Sequence, residues 1–162
     1  MDLTERIFKA ALAEKVTGIN AVTLRSHRRR GFLTDLGFEP DGTMARYSYA
    51  DLVVLTTAVE LERRLKAVST DALETAITLR HDIAEMLAQG EWQDWAMWVV
   101  FSKGTDFLGN ETEEVKVVQD LAKWAEGKHP AEGLDTVMVV VNLSAVARIT
   151  VMRLRDAGVE LL

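Results

Sequence analysis

Apolar residues in the first ninety positions recur at three- and four-residue intervals, the spacing of helix faces, whereas those near the end of the chain run together as β-branched blocks. Ile7, Phe8, Ala11 and Leu12 predict a short amphipathic helix over residues 4–15, with Thr4 as its N-cap. Residues 16–31 read V-T-G-I-N-A-V-T-L-R-S-H-R-R-R-G and predict a turn followed by a second, very basic helix. Gly18 can take the positive φ of a tight helix-to-helix turn, and Asn20 is a good N-cap. Val22 and Leu24 are assigned to apolar positions behind a face carrying Arg25, Arg28, Arg29 and Arg30. At ~1.5 Å per residue the helix spans roughly 15 Å, enough to lie in a DNA major groove.

Residues 31–49 place Pro40, Asp41 and Gly42 between short apolar pieces, which predicts a hairpin, or wing, directly after the basic helix. Leu52, Leu55, Val59, Leu61 and Leu65 predict a helix over residues 49–66, with Asp51 in the first turn and Arg63, Arg64 and Lys66 in the last. After a break at residues 68–71, a further helix carries Leu73, Ile77, Ile83, Met86 and Leu87 to Gly90. The first half thus reads as four helices and one hairpin.

The second half opens with Trp92, Trp95, Trp98 and Phe101 at three-residue intervals, read as a helical lead-in passing into a strand near residues 98–102, with Lys103 and Gly104 as its turn. Residues 112–126 predict a helix with Val117, Leu121 and Trp124 on one face. V-M-V-V-V within residues 133–142 predicts a strand, either core or an edge pairing with its own copy, and Ser144 is expected to cap a last helix carrying Ile149, Met152 and Leu154. The expected class is α+β, mostly α, with a DNA-binding unit over residues 1–89 and an α+β dimerisation, partner or effector unit over residues 90–162. There is no internal repeat and no low-complexity segment.

Charge sharpens the picture. The net charge is −6 over 162 residues, yet residues 1–50 hold eight basic and six acidic side chains, a balance of +2, and the remainder carries −8. Screening confines a charge to about 8–10 Å at physiological salt, so the local balance governs a partner. With no cysteine, disulfides, thiolate zinc sites and cysteine nucleophiles are excluded. No apolar run approaches membrane-spanning length, and Asp2, Glu5 and Glu14 spoil a signal peptide, so a cytoplasmic protein without membrane contact is expected.

L-A-E-K-V-T-G-I-N-A-V-T-L-R, then R-G-F-L, then D-G-T-M-A-R-Y-S-Y-A-D-L and two helices resemble, over roughly residues 7–80, the N-terminal domain of the mercury-resistance-regulator (MerR) family. The resemblance implies a winged helix-turn-helix on double-stranded DNA, with Arg25 on the recognition helix and Arg46 and Tyr47 on the wing as contacts. Ser26 and His27 stand where the family shows an aromatic pair, so the histidine replaces a tyrosine-to-phosphate contact or the contact is lost. Asp35, Glu39 and Asp41 would repel phosphates, so the wing tip is expected to point away from the backbone or to contact it only through Arg46. Residues 91–162 lack the family's long coiled-coil helix, so dimerisation must differ.

Arg25 is the candidate reader of a base edge, Arg28, Arg29 and Arg30 are candidate phosphate contacts, and Thr23 could do either. Arg46 has the alternative of pairing with an acid of the following helix. The three histidines show no metal-ligand spacing, and no nucleophile elbow, phosphate-cradling glycine loop or H-E-x-x-H occurs, so no enzyme, metal or cofactor is expected. The tryptophans read as core, with a ligand pocket as the alternative. The function expected is a bacterial or phage transcriptional regulator acting as a homodimer through its C-terminal half. The alternatives are an excisionase-like architectural or DNA-packaging (small terminase) protein, and an interaction adaptor that does not bind DNA.

Overall fold

The computed structural model describes residues 3–39, 45–65, 69–90, 96–105, 110–126 and 134–159. In chain order these form β1 (Phe8–Lys9), α1 (Ala10–Thr17), α2 (Ala21–Arg29), β2 (Arg46–Tyr47), α3 (Tyr49–Leu65), α4 (Ser69–Thr78), α5 (Arg80–Gln89), β3 (Trp98–Thr105), β4 (Glu111–Val118), α6 (Leu121–Glu126), β5 (Leu134–Asn142) and α7 (Leu143–Asp156). The class is α+β and mostly helical, as the sequence implies. None of the described helices is long and apolar enough to cross a membrane.

The fold is built round α3. Residues 49–58 are all buried, and a helix buried on every side must be enclosed by other elements. Here α1, α4, α5, α7 and β5 pack on it. Its start is fixed by a reciprocal cap: Ser48 Oγ accepts from the Asp51 amide at 3.0 Å, and Asp51 Oδ2 accepts from the Ser48 amide at 2.8 Å. Arg6 reaches the same carboxylate at 3.2 Å, lies 4.2 Å from the Phe38 ring centroid, and donates to the carbonyls of Leu36 and Gly37. One guanidinium therefore joins the N-terminal segment, the loop after α2 and the start of α3.

The C-terminal strands make an antiparallel sheet of order β4-β3-β5, with Val99 between Val117 and Val141 and Phe101 between Val115 and Val139. That valine-rich face packs on the helical core. The V-M-V-V-V strand lies at an edge. At the other end of β5, α7 returns across the first half of the chain: Tyr49 donates to the Ala147 carbonyl at 2.8 Å, and Arg153 Nη1 donates to the Val16 carbonyl at 2.8 Å.

Several expectations are corrected. The first helix begins at Ala10, not Thr4, because Phe8 and Lys9 pair as β1 with Tyr47 and Arg46. The strand partner of β2 thus lies before the helix-turn-helix, not within residues 31–39, which are turns and irregular chain; Pro40, Asp41 and Gly42 lie outside the described residues. The helix of residues 68–90 is broken at Leu79 into α4 and α5. Residues 111–118 are a strand, because alternating Val115 and Val117 find partners in β3, and only Leu121–Glu126 is helical. Lys103 and Gly104 continue β3 and form no turn; the register shifts opposite them, where β5 carries one extra residue. Asn142, not Ser144, caps α7; the Ser144 hydroxyl is buried and accepts from the Met97 amide at 2.9 Å. Trp98 and Trp124 are half-buried, and Trp92 and Trp95 lie outside the described residues.

Candidate nucleic-acid interface

The turn into α2 follows the sequence closely. Gly18 ends α1 with φ +81° and its amide donates to the Glu14 carbonyl at 2.8 Å. Two α2 amides are then satisfied by side chains: Asn20 Oδ1 accepts from Val22 at 2.7 Å and Glu14 Oε2 accepts from Ala21 at 3.2 Å. Leu24, 1% exposed, is the residue that buries the helix.

Exposure along α2 sorts the candidate contacts into faces. Val22, Thr23, Arg25 and Arg29 are open to solvent, as is Arg30 at the C-cap, whereas Ser26, His27 and Arg28 are half-buried. Val22 therefore does not lie behind the basic face, as its apolar character suggests. Two residues along a helix turn about 200°, so Val22 and Leu24 cannot share a face.

On one flank of α2 is a cleft of about 280 Å³ formed with the start of α1 and with β2. Lys9 from β1, Arg25 and Arg28 from α2, and Arg46 from β2 converge on it, and Ala10, Ala11, Ala21 and Ala45 supply low walls. Among the described residues no carboxylate lines it. Arg28 and Arg46 also border a neighbouring cleft, whose rim carries Glu39. The buried Nε of Arg28 has no hydrogen-bond partner among the described residues. The ion pairs described, Arg6–Asp51 and Glu60 with Arg63 and Arg64, leave the arginines of α2 uncompensated. Cations held together with no carboxylate in the described lining and with a donor unsatisfied give the cleft a positive potential suited to an anion. Arg46 is exposed and donates to the Ile7 carbonyl at 3.3 Å, so it is tied to the backbone beside β1, not to an acid of α3.

Tyr47 and His27 face inward. Tyr47, 1% exposed, packs on Phe38 with ring centroids 4.9 Å apart and closes the cleft from within; burial, offset in part by Arg28, raises its hydroxyl pKa. His27 lies on the opposite flank, edge-on to Phe32 at 5.7 Å, and lines a separate groove with Leu55 and Glu62. Its buried Nδ1 has no hydrogen-bond partner among the described residues.

Burial, and then Arg30, hold the His27 imidazole below its ordinary pKa of 6.5, with Glu62 opposing. Its neutral form belongs to the folded state, so the unfolded chain binds the proton more readily. Stability is complete above the unfolded value and is lost as pH falls below it toward the folded value. The thermal midpoint of His27→Gln should therefore fall less than that of the wild type between pH 7.5 and 5; equal slopes would remove His27 as the cause.

Lys9 and the alanine walls escaped sequence reading, because they enter the site only through the β1–β2 pairing. Among the described residues no group of three or more His, Asp or Glu side chains is placed to hold a metal ion. A scan against protein-family models matches no family, and a search of curated proteins finds no match, so the functional reading stands on this cleft and on the face of α2 beside it.

Proposed function

We propose that the chain is a sequence-specific double-stranded DNA-binding protein, a transcriptional regulator with a MerR-like winged helix-turn-helix. The observation that carries this reading is the acid-free cleft in which Lys9, Arg25, Arg28 and Arg46 converge beside the exposed face of α2. A duplex places phosphates on either side of its major groove, so a helix lying in that groove has cations wanted along its flank and polar or cationic groups at its front. Arg28, Arg46 and Lys9 take the backbone in this arrangement. Arg25, exposed at the cleft's edge, reaches a base edge, with guanine O6 and N7 as its bidentate acceptors. Arg29 and Arg30 add further phosphate contacts along the helix, and Thr23 and Ser26 supply hydroxyls. Tyr47 serves by supporting the ribbon that carries Arg46, and His27 by packing behind α2.

The proposal includes a homodimer through the C-terminal half, where β5 at the edge of the described sheet and the exposed Ile149 and Met152 of α7 offer surface. Selection from a random duplex pool at low and moderate salt tests both parts. Enrichment of a site built of two inverted half-sites about 10–10.5 base pairs apart, or a multiple of that, is expected from a two-fold reader. Arg25→Ala should then cost ~1–3 kcal/mol and relax one position in each half-site. Absence of binding even at low salt refutes the reading, and a single unrepeated site refutes the dimer.

A further inference from the structure

Val22 is 69% exposed, the most open of the large apolar side chains among the described residues, and it stands at the N-terminal end of the cationic face. Its place is fixed, since its amide is held by the Asn20 cap in the first turn of α2. Arg25 and Ser26, three and four residues on, share its side of the helix, and Arg29 follows one turn later. The core has no use for it, because Leu24 supplies the buried anchor from the opposite side.

An isopropyl group cannot hold a phosphate. In the major groove the apolar feature of a base edge is the 5-methyl group of thymine, which packs against small apolar side chains. We propose that Val22 is a specificity-determining residue that packs on a thymine 5-methyl group, so that the protein selects a duplex with thymine close to the guanine read by Arg25. This rests on the reading that α2 enters the groove. Three residues advance about 4.5 Å along the helix axis, and base pairs are stacked about 3.4 Å apart, so the thymine lies roughly one or two base pairs from that guanine. The first turn of a recognition helix is also the part that approaches the bases most closely.

Replacing each thymine of the selected duplex in turn by deoxyuridine removes a methyl group and changes nothing in base pairing. The wild type is expected to bind about fourfold more weakly when one particular thymine is replaced, the effect of removing one buried methyl-sized group. Val22→Ala should bind the thymine duplex about as weakly as the wild type binds the uracil duplex, and should be indifferent to the exchange. The substitution lies at an exposed helical site and Ala is the better helix former, so an unchanged or raised thermal midpoint accompanies the result. Indifference of the wild type to uracil at every thymine, or a penalty that persists undiminished in Val22→Ala, overturns the assignment. If a duplex is selected and Arg25→Ala weakens it while uracil is silent, the methyl contact alone fails; if no duplex is selected, the DNA reading fails and this inference with it.

Discussion

Replacing Arg25, Arg28 and Arg46 together by Ala is expected to lower affinity for the selected duplex by roughly 3–5 kcal/mol at moderate salt, summing one base contact and two phosphate contacts. The three side chains come from two separate elements and meet in one cleft, so the loss should exceed that of Arg25→Ala or Arg28→Ala alone. The double change of Arg28 and Arg46 to Ala, which leaves Arg25, should weaken all duplexes alike and flatten the plot of log affinity against log salt by up to about two units. Arg28→Lys with Arg46→Lys should preserve most of the slope, because a point charge suffices for phosphate, but lose affinity where the fork of the guanidinium is used. Titrations at several salt concentrations give both quantities. An unaltered slope in the double alanine variant would take these two residues off the backbone. All three variants change solvent-accessible or cleft positions, and matched circular-dichroism melts check that the fold is retained.

The second large effect concerns the scaffold. Asp51→Ala should destabilise the protein by about 3–5 kcal/mol, because the carboxylate is 3% exposed, accepts from the Ser48 amide and faces Arg6. Its loss leaves an orphaned helix-start amide and a guanidinium stripped of its counter-charge. Asp51→Asn retains an acceptor for the Ser48 amide while removing the charge, and should fall between the wild type and Asp51→Ala. Ser48→Ala breaks the return bond alone and should cost about 1 kcal/mol. Urea midpoints at neutral pH order the three variants, and an Asp51→Ala protein within about 1 kcal/mol of the wild type would show that the cap and the Arg6 contact are dispensable.

Local chemistry made part of the molecule legible. Gly18 and Asn20 announce the turn and the cap because both act within four residues of themselves, and the leucines of α3 and the valines of β5 announce their elements by spacing and branching. Residues 112–126 misled because acids at their start suit a helix N-terminus, while the alternation of Val115 and Val117 becomes decisive only beside β3. β1 and β2 are two residues each, too short for any period to show. Their pairing brings Lys9 and Arg46 to α2, so the cleft is a tertiary product. The contacts of Arg6 to residues 30, 31 and 45 positions away left no local trace either.

The hydrogen bond from Arg153 to the Val16 carbonyl ties the two ends of the chain at a mechanically sensitive place. Val16 lies two residues before the Gly18 pivot, where a small change of backbone angle becomes a large sweep of whatever follows. The pitch of α2 is thus braced from behind by the final helix, which itself grows out of the edge strand β5. A force applied to that strand has a path through α7 to the pivot, which makes the attitude of α2 a shared property of residues more than a hundred positions apart.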